Sequence, residues 1–325
     1  MRPPALSLLC CPTCQGDLAL DAPDHAADGH VMTGRLGCAP CQKTYPITGG
    51  VPRLVAGSVS PASTETAGRF GAQWKTFDHM STYQEQWLRK WLDPIGPDDF
   101  TGKVILEAGC GKGRHTLVAS DWGAAEIVAL DLSESVDVAF FHARERKNVH
   151  VVQGDILCPP VRRVFDLAFS VGVLHHLPDP RAGFDKLRGR VKPGGKIAVW
   201  VYGHENNEWI VRYVNPFRNR ITARMNPELL YWLSLPPSAA LAMTLVLYRN
   251  ERVAKLLPYR DYLRQLATVP LREVHNIVFD QLVTPIAFYM RQDEVRSWFS
   301  GQGLGCVTLS WHNKNSWRAS ALVTE

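Results

Sequence analysis

Two kinds of residue in this chain have the types and spacing that chemistry needs: paired cysteines near the start, and acids that each follow an apolar run. CPTC supplies Cys11 and Cys14, and CAPC supplies Cys38 and Cys41. Each Cys-x-x-Cys sets two thiolates on one tight knuckle, and two knuckles provide the four soft ligands of a closed tetrahedral zinc site. The polar, glycine-containing segment between them has too few apolar residues to pack by itself, so metal ligation would supply the missing folding energy. The 23 residues between the knuckles exceed the usual ribbon spacing of about 15–20. Redox pairs usually occur singly beside a βαβ pattern, which favours zinc here. Cys10 reads as a spare neighbour, and His25 and His30 as loop residues.

The second feature is the stretch VILEAGCGKGRHT, Val104 to Thr116. A dinucleotide fingerprint would need glycine where the chain has Arg114. A P-loop counted from Gly109 would need Gly-Lys-Ser/Thr where it has Arg114, His115 and Thr116. Glu107 lies at the exit of one predicted strand, Asp131 ends the next, and Asp155 follows the third. In an alternating α/β sheet, ligands bind beyond the carboxyl ends of the strands. There Asp131 can accept both hydroxyls of a ribose and Asp155 can meet an adenine amino group, while glycines let the backbone approach closely. The turn suits a nucleoside whose other end is an amino acid better than one ending in a pyrophosphate. The competing reading of Asp131 and Asp155 is helix N-capping. Cys110 and His115 on the same turn make at most half a metal site.

These residues need a frame, and the chain supplies one. Short apolar runs at 103–109, 125–131, 148–154, 165–171 and 195–202 alternate with helical segments near 113–121, 134–145 and 181–190. That alternation is the signature of a parallel sheet covered by helices. VKPGG, Val191 to Gly195, reads as a turn that launches the fifth strand. CVTLSW and RASALVT would close the sheet as a hairpin after a helical QDEVRSWF. The predicted fold is α/β, a doubly wound, Rossmann-like sheet of seven strands. Ahead of it, residues 1–56 form the ribbon and 57–68 a linker of small and polar residues; residues 69–325 form the main domain. A helical lead-in carries Trp87, Leu88, Trp91 and Leu92 on one face.

Composition sets outer bounds. Among 325 residues, 36 Lys and Arg stand against 31 Asp and Glu, a net charge of +5. That excess is too small to imply nucleic acid by itself. The first residues lack an apolar core followed by a small-residue cleavage site, so no secretory signal is expected. Eight cysteines, four of them in two pairs, favour a reducing compartment, with the cytoplasm as the default.

Two resemblances sharpen these readings. CPTCQGDL, the second Cys-x-x-Cys, YPI and GVPRL, in that order, resemble the small zinc-ribbon subunit that activates RNA and protein methyltransferases, and its fused bacterial relatives. E-A-G-C-G-K-G, then D-L-S, G-D-I, SVGVLHHLPDP and V-K-P-G-G-K are similar to the class I S-adenosylmethionine-dependent methyltransferases, and LHHLPDP places the chain near the quinone-biosynthesis-like branch. The second resemblance implies that Glu107 and the turn Gly109, Gly111 and Gly113 line the methionine portion and adjoining ribose of S-adenosylmethionine. It gives Asp131 the ribose diol, sets Leu132 against the adenine, and puts Asp155 and Ile156 at the adenine edge and face. Ser170 and Val171 would lie beside the methionyl part.

Methyl transfer to oxygen or nitrogen needs positioning and often a base near neutral pKa, which makes histidine the first suspect. His175 and His176 follow the fourth strand, and one of that pair is expected to cap or pack the turn. His275 with Asp280 forms a second pairing, although five residues apart on a helix do not stack well. Tyr202, His204 and Tyr289 are outsiders. The candidates carried forward are His175 and His275. SVGV replaces the Asn/Asp-Pro-Pro-aromatic run typical of enzymes acting on the exocyclic amines of bases, and Cys158 reads as a buried or loop cysteine.

A helical insert, 204–273, is far longer than an ordinary connection. It carries Arg212, Arg218, Arg220 and Arg224 with no acid among them, then twenty uncharged residues from Leu229 to Tyr248. The length would span a membrane, but Pro236-Pro237 should break the helix near its middle. A buried helical lid is the plainest reading. The sharper one is an interfacial lid, with arginines toward anionic head groups and a peripheral membrane contact through 212–248. The acceptor is therefore expected to be a small molecule, lipid-linked or glycan-like, in the cytoplasm or peripherally at the membrane. RNA is the alternative, on the ribbon and the arginine cluster, though an aromatic stacking platform is lacking. A partner-binding module with a vestigial pocket is a third, disfavoured by the intact set of acids and glycines.

Overall fold

The computed structural model describes residues 1–26, 28–57, 59–301 and 303–325. The ribbon is an antiparallel sheet in chain order: β1 Ala19–His25, β2 Val31–Cys38, β3 Lys43–Thr48 and β4 Val51–Pro52. In β3 only Tyr45 and Ile47 turn inward, the alternation of a strand with one buried face. The ribbon is not a separate body. Leu54 N donates to Gln153 O at 2.8 Å, Cys10 N donates to Pro160 O at 3.0 Å, and Arg162 N donates to Leu8 O at 2.9 Å. Leu9, Leu36, Tyr45 and Leu54 share one apolar cluster with Leu106, Val128, Leu130 and Val152 of the main sheet. The division expected at residue 56 is therefore not a division of the core.

Helix α1, Pro61–Thr76, starts inside the expected linker. Ser60 Oγ accepts from Ser63 N at 3.0 Å and Pro61 takes the first helical position, so Ser-Pro-Ala-Ser is a helix start rather than a spacer. Ser58 of that stretch lies outside the described residues. In α2, Gln84–Leu92, Trp87, Leu88, Trp91 and Leu92 are all buried, as the lead-in reading expects.

The main sheet holds β5 Val104–Ala108, β6 Glu126–Asp131, β7 Val149–Gln153, β8 Phe165–Val171, β9 Val191–Tyr202, β10 Leu304–His312 and β11 Ser316–Val323. Their order is β10-β11-β9-β8-β5-β6-β7, parallel from β5 to β9, with β11 antiparallel to both neighbours. Helices α3 Arg114–Asp121, α4 Ser135–Ala143 and α5 Pro180–Arg188 cover it, which is why the strands read as nearly continuous apolar runs. The chain winds outward from β5 through β6 to β7, then restarts on the other side with β8. The ends of β5 and β8 thus flank a topological switch point. VKPGG is not a turn ahead of β9 but its beginning. Pairing jumps from Phe165–Val191 to Leu167–Lys196, and Gly194 at φ +82° absorbs the extra length.

The insert leaves after Tyr202 and returns at Met290, where Met290 N donates to Tyr202 O and His204 N to Met290 O. Its end is thus later than 273. It contains a wide turn at Ile210–Val214, then α6 Asn215–Arg220, α7 Pro227–Arg249, α8 Glu251–Ala254, α9 Arg260–Leu266 and α10 Leu271–Val283; α11, Gln292–Trp298, follows. Pro236 and Pro237 do not break α7. The carbonyls they deprive of donors are those of Trp232 and Leu233, which sit on the exposed side where solvent is at hand. Nor is α7 a buried lid, since only 22% of its apolar window is buried.

Candidate active site

The turn after β5 is shaped by glycines that no other residue could replace without moving a neighbour. Gly109 has φ +84°, and a Cβ there would fall 2.3 Å from Val173 Cγ2. Gly111 has φ +53°, and its Cβ would meet Trp74 Nε1 at 2.9 Å. Asp131 ties this turn to the next strand. Its Oδ2 accepts from Gly111 N at 2.8 Å, and its Oδ1 accepts from Ser133 N at 2.8 Å and Ser133 Oγ at 2.7 Å. Lys112 anchors the turn from beneath, donating to Phe77 O at 2.6 Å and His79 O at 2.7 Å. Burial pulls its ammonium down to about 8.

These groups line one end of a cavity of about 720 Å³. Gly109, Gly111, Asp131, Leu132, Asp155, Ile156 and Val171 all reach its wall. Asp155 Oδ1 accepts from Leu157 N at 2.8 Å, and burial raises the carboxyls of both Asp131 and Asp155. Aromatic side chains close this end: Trp74, Trp87, Trp91 and Trp200 line the cavity, and the Arg114 guanidinium sits 5.3 Å from the Trp74 ring centre.

Three expected cofactor residues are not on the wall. Gly113 caps α3 and abuts Ala139, whose Cβ lies 3.2 Å from where a glycine Cβ would be. Ser170 is fully buried and donates to Ala108 O at 2.9 Å, joining β8 to β5. Glu107 accepts from Thr116 Oγ1, while its Oε1 has no hydrogen-bond partner and lies 3.7 Å from His115 Nδ1. Complete burial holds the Glu107 carboxyl up at about 8.

The expected base candidates are also off the wall. His275 is buried against α7, its Nε2 within 2.8 Å of Ser234 Oγ and 3.1 Å of Tyr231 O, so it serves helix packing. His175 is fully buried with both ring nitrogens unpaired, and its ring lies 4.0 Å from that of Tyr202. Of the pair His175 and His176, it is His176 that reaches the cavity, whose wall also includes His115 and His312. The Nδ1 of His176 lies 2.6 Å from Ile286 O, which can only accept, so the proton sits on Nδ1 and Nε2 keeps its lone pair. Burial lowers its pKa, leaving the ring neutral.

The far wall is polar and is shared by the insert, Gln73 of α1 and Tyr202 at the end of β9. Tyr202 OH donates to Asp280 Oδ2 at 3.0 Å, and Gln73 Nε2 donates to Asp280 Oδ1 at 3.1 Å and Asn276 Oδ1 at 2.9 Å. Gln281 Nε2 donates to Tyr202 OH at 3.2 Å, and Tyr289 OH donates to Gln281 Oε1 at 2.9 Å. Burial raises the Tyr202 phenol well above its ordinary value, so it stays a donor. Asp280 faces the cavity while His275, on the same helix, faces α7, as their five-residue spacing dictates. Asn276 and Asp280, four apart on α10, carried the signal that could have revealed this wall.

Residues 106–199 match the family model described as a methyltransferase domain. The chain carries a methyltransferase domain. The chain aligns with the tRNA U34 carboxymethyltransferase of Pseudoalteromonas translucida (strain TAC 125), 29% identical over 136 residues, 40% of this chain and 42% of that protein. It also aligns with the ubiquinone biosynthesis O-methyltransferase of Idiomarina loihiensis, 30% identical over 121 residues, 36% of this chain and 49% of that protein. The chain thus spans less than half the length of these curated relatives. Among solved structures, the DhpI–SAH complex aligns over 82% of this chain and 98% of its own, with a TM-score of 0.50 at 16% identity, a likeness of fold. The methyltransferase domain match spans residues 106–199, so the insert and the residues of the polar wall, Gln73 included, lie outside it.

Proposed function

We propose that the protein transfers a methyl group from S-adenosylmethionine to an oxygen or nitrogen of a small-molecule acceptor, lipid- or glycan-linked forms included. The observation that carries this reading is a single cavity joining the glycine turn and the acids at the strand ends to the polar wall of Gln73, Tyr202 and the insert. The cofactor end suits a nucleoside joined to an amino acid: Asp131 would take the ribose hydroxyls, Asp155 and Ile156 the adenine, and the backbone at Gly109–Gly111 the methionyl part. Leu132 and Val171 would pack beside it. S-adenosylmethionine supplies a methyl carbon already activated by a sulfonium, so the protein's work is alignment and proton removal. His176 Nε2, neutral and open to the cavity, is placed to accept the acceptor's proton. Tyr202, Asp280 and Tyr289 would orient the acceptor.

We assign a structural Zn²⁺ to Cys11, Cys14, Cys38 and Cys41. Their sulfurs lie within 4.8 Å of one another, with Cys14–Cys38 at 3.4 Å and Cys11–Cys41 at 3.6 Å. Tetrahedral Zn–S bonds of about 2.3 Å set sulfurs roughly 3.8 Å apart, so the donor set fits. Cys10 Sγ is directed to Gln15 Oε1 instead.

A second reading, RNA as acceptor, is favoured by the tRNA-modifying relatives and by exposed Arg212, Arg220 and Arg224. S-adenosylmethionine labelled on its methyl group, incubated with the protein and cell extract, separates the two. Label in the lipid or small-molecule fraction, lost with Asp131→Ala, supports the first. Label in RNA establishes the second.

A further inference from the structure

Helix α7 is built inside out. Helices at a protein surface turn polar residues to water and apolar ones to the core. Here Leu229, Trp232, Leu233, Met243 and Leu247 fall on one side at helical spacing and are 52%, 66%, 53%, 69% and 53% exposed. Ser234 and Ser238 lie on the opposite side, both fully buried, with Ser234 Oγ against His275 Nε2 and Ser238 Oγ donating to Ser234 O. The same inner side contributes Pro237 and Leu241 to the cavity wall. The segments flanking α7 in sequence also expose large apolar residues, Tyr213, Phe217 and Ile221 before it and Leu256 after it.

The charges around this face are one-sided. Between Trp209 and Leu256 the exposed basic residues are Arg212, Arg220, Arg224, Arg249, Arg252 and Lys255, against two acids, Glu228 and Glu251. Glu251 is itself shared by Arg260 at 3.6 Å and Arg264 at 3.9 Å. Arg218 is buried and takes no part in the surface. A second copy of the chain meeting this face about a two-fold axis would bring the same positive charges together. An anionic bilayer would neutralise them while its acyl region takes the apolar side chains.

We propose that the outer face of α7 docks on an anionic lipid surface, lying in the interface rather than crossing it, because the inner face is committed to α10 and the cavity. The inner side of α7 that lines the cavity, through Pro237 and Leu241, belongs to the same helix as the docked face. The docking itself does not depend on which reaction the cavity performs.

The test is flotation of the full chain with vesicles of phosphatidylcholine alone or mixed with phosphatidylserine. The expected result is binding to the mixed vesicles that weakens with salt. Trp232→Glu combined with Leu233→Glu should reduce it at least tenfold with the melting temperature unchanged. Arg220→Gln and Arg224→Gln should each weaken it about fivefold, the equivalent of ~1 kcal/mol per basic residue near an anionic surface. No flotation with mixed vesicles at low salt overturns the proposal. So does flotation that the two glutamates leave intact. A wild-type dimer that these glutamates convert to monomers, with no vesicle binding, would assign the face to a second copy. Salt-sensitive retention on RNA, lost with the arginines while vesicles go unbound, would assign the charges to nucleic acid.

Discussion

The ribbon and the insert are both additions to the same sheet, and they depart from ordinary packing in opposite directions. The ribbon has too little apolar surface. It borrows a core from the main sheet through Leu9, Leu36 and Leu54, and leaves four thiols converging on one point. The insert has too much apolar surface, so that it lines a cavity with one side of α7 and exposes Trp232 and Met243 on the other. The contrast separates roles: the ribbon's residues should govern whether the chain holds together, and the insert's residues what it acts on and where.

The most damaging break of that contrast is in the ribbon. Cys14→Ser should release zinc and lower the melting temperature of the whole chain, because the ribbon shares the sheet's core and structural zinc sites carry about 10 kcal/mol or more of apparent binding energy. Metal analysis with calorimetry checks it, and full metal content with unchanged melting would remove zinc from the account. On the catalytic side, His176→Ala should cut kcat by about 10²–10⁴ while leaving S-adenosylmethionine affinity in place. His175→Ala should act on stability instead, and a reversed pattern would return the base to His175. Asp131→Ala should weaken cofactor binding by roughly 10–100-fold, the loss of charged hydrogen bonds worth about 1.5–3 kcal/mol, with the fold retained. Titration calorimetry reads this directly; unchanged affinity would sink the ribose assignment.

The remaining effect is a pH slope. Burial raises the Glu107 carboxyl from 4.5 to about 8, so between those values the folded state holds a proton that the unfolded state gives up. Its contribution to stability is complete below pH 4.5 and declines as pH rises through about 8. Glu107→Gln should flatten that decline in melting temperature measured from pH 5 to 8. A slope unchanged by the substitution would show that other groups set it.

The strands, the switch point and the acids at their ends were legible because buried parallel strands spell themselves as apolar runs and the acids stand where those runs stop. The helix start at Ser60-Pro61 was hidden because the residues that cap helices also make linkers. The Pro236-Pro237 pair misled because a helix tolerates lost hydrogen bonds where solvent can replace them. His175 and His176 share a single 3₁₀ turn, Leu174–His176, in which successive side chains point roughly 120° apart. Which of the two faces a cavity depends on the register of that turn. The wall of Gln73, Tyr202 and Asp280 is assembled from three distant segments, and no local pattern announces such a meeting.

The tryptophans gathered at the cofactor end have a practical consequence. Trp91 lies 5.4 Å from Trp87 and 5.2 Å from Trp200, ring centre to ring centre, and all three face the cavity together with Trp74. Their fluorescence depends on how polar and how mobile that space is, so a ligand entering it should change the emission of the unlabelled protein. The chain thus carries an intrinsic optical probe of its own occupancy, by which nucleosides, sulfonium compounds and candidate acceptors can be ranked by binding alone.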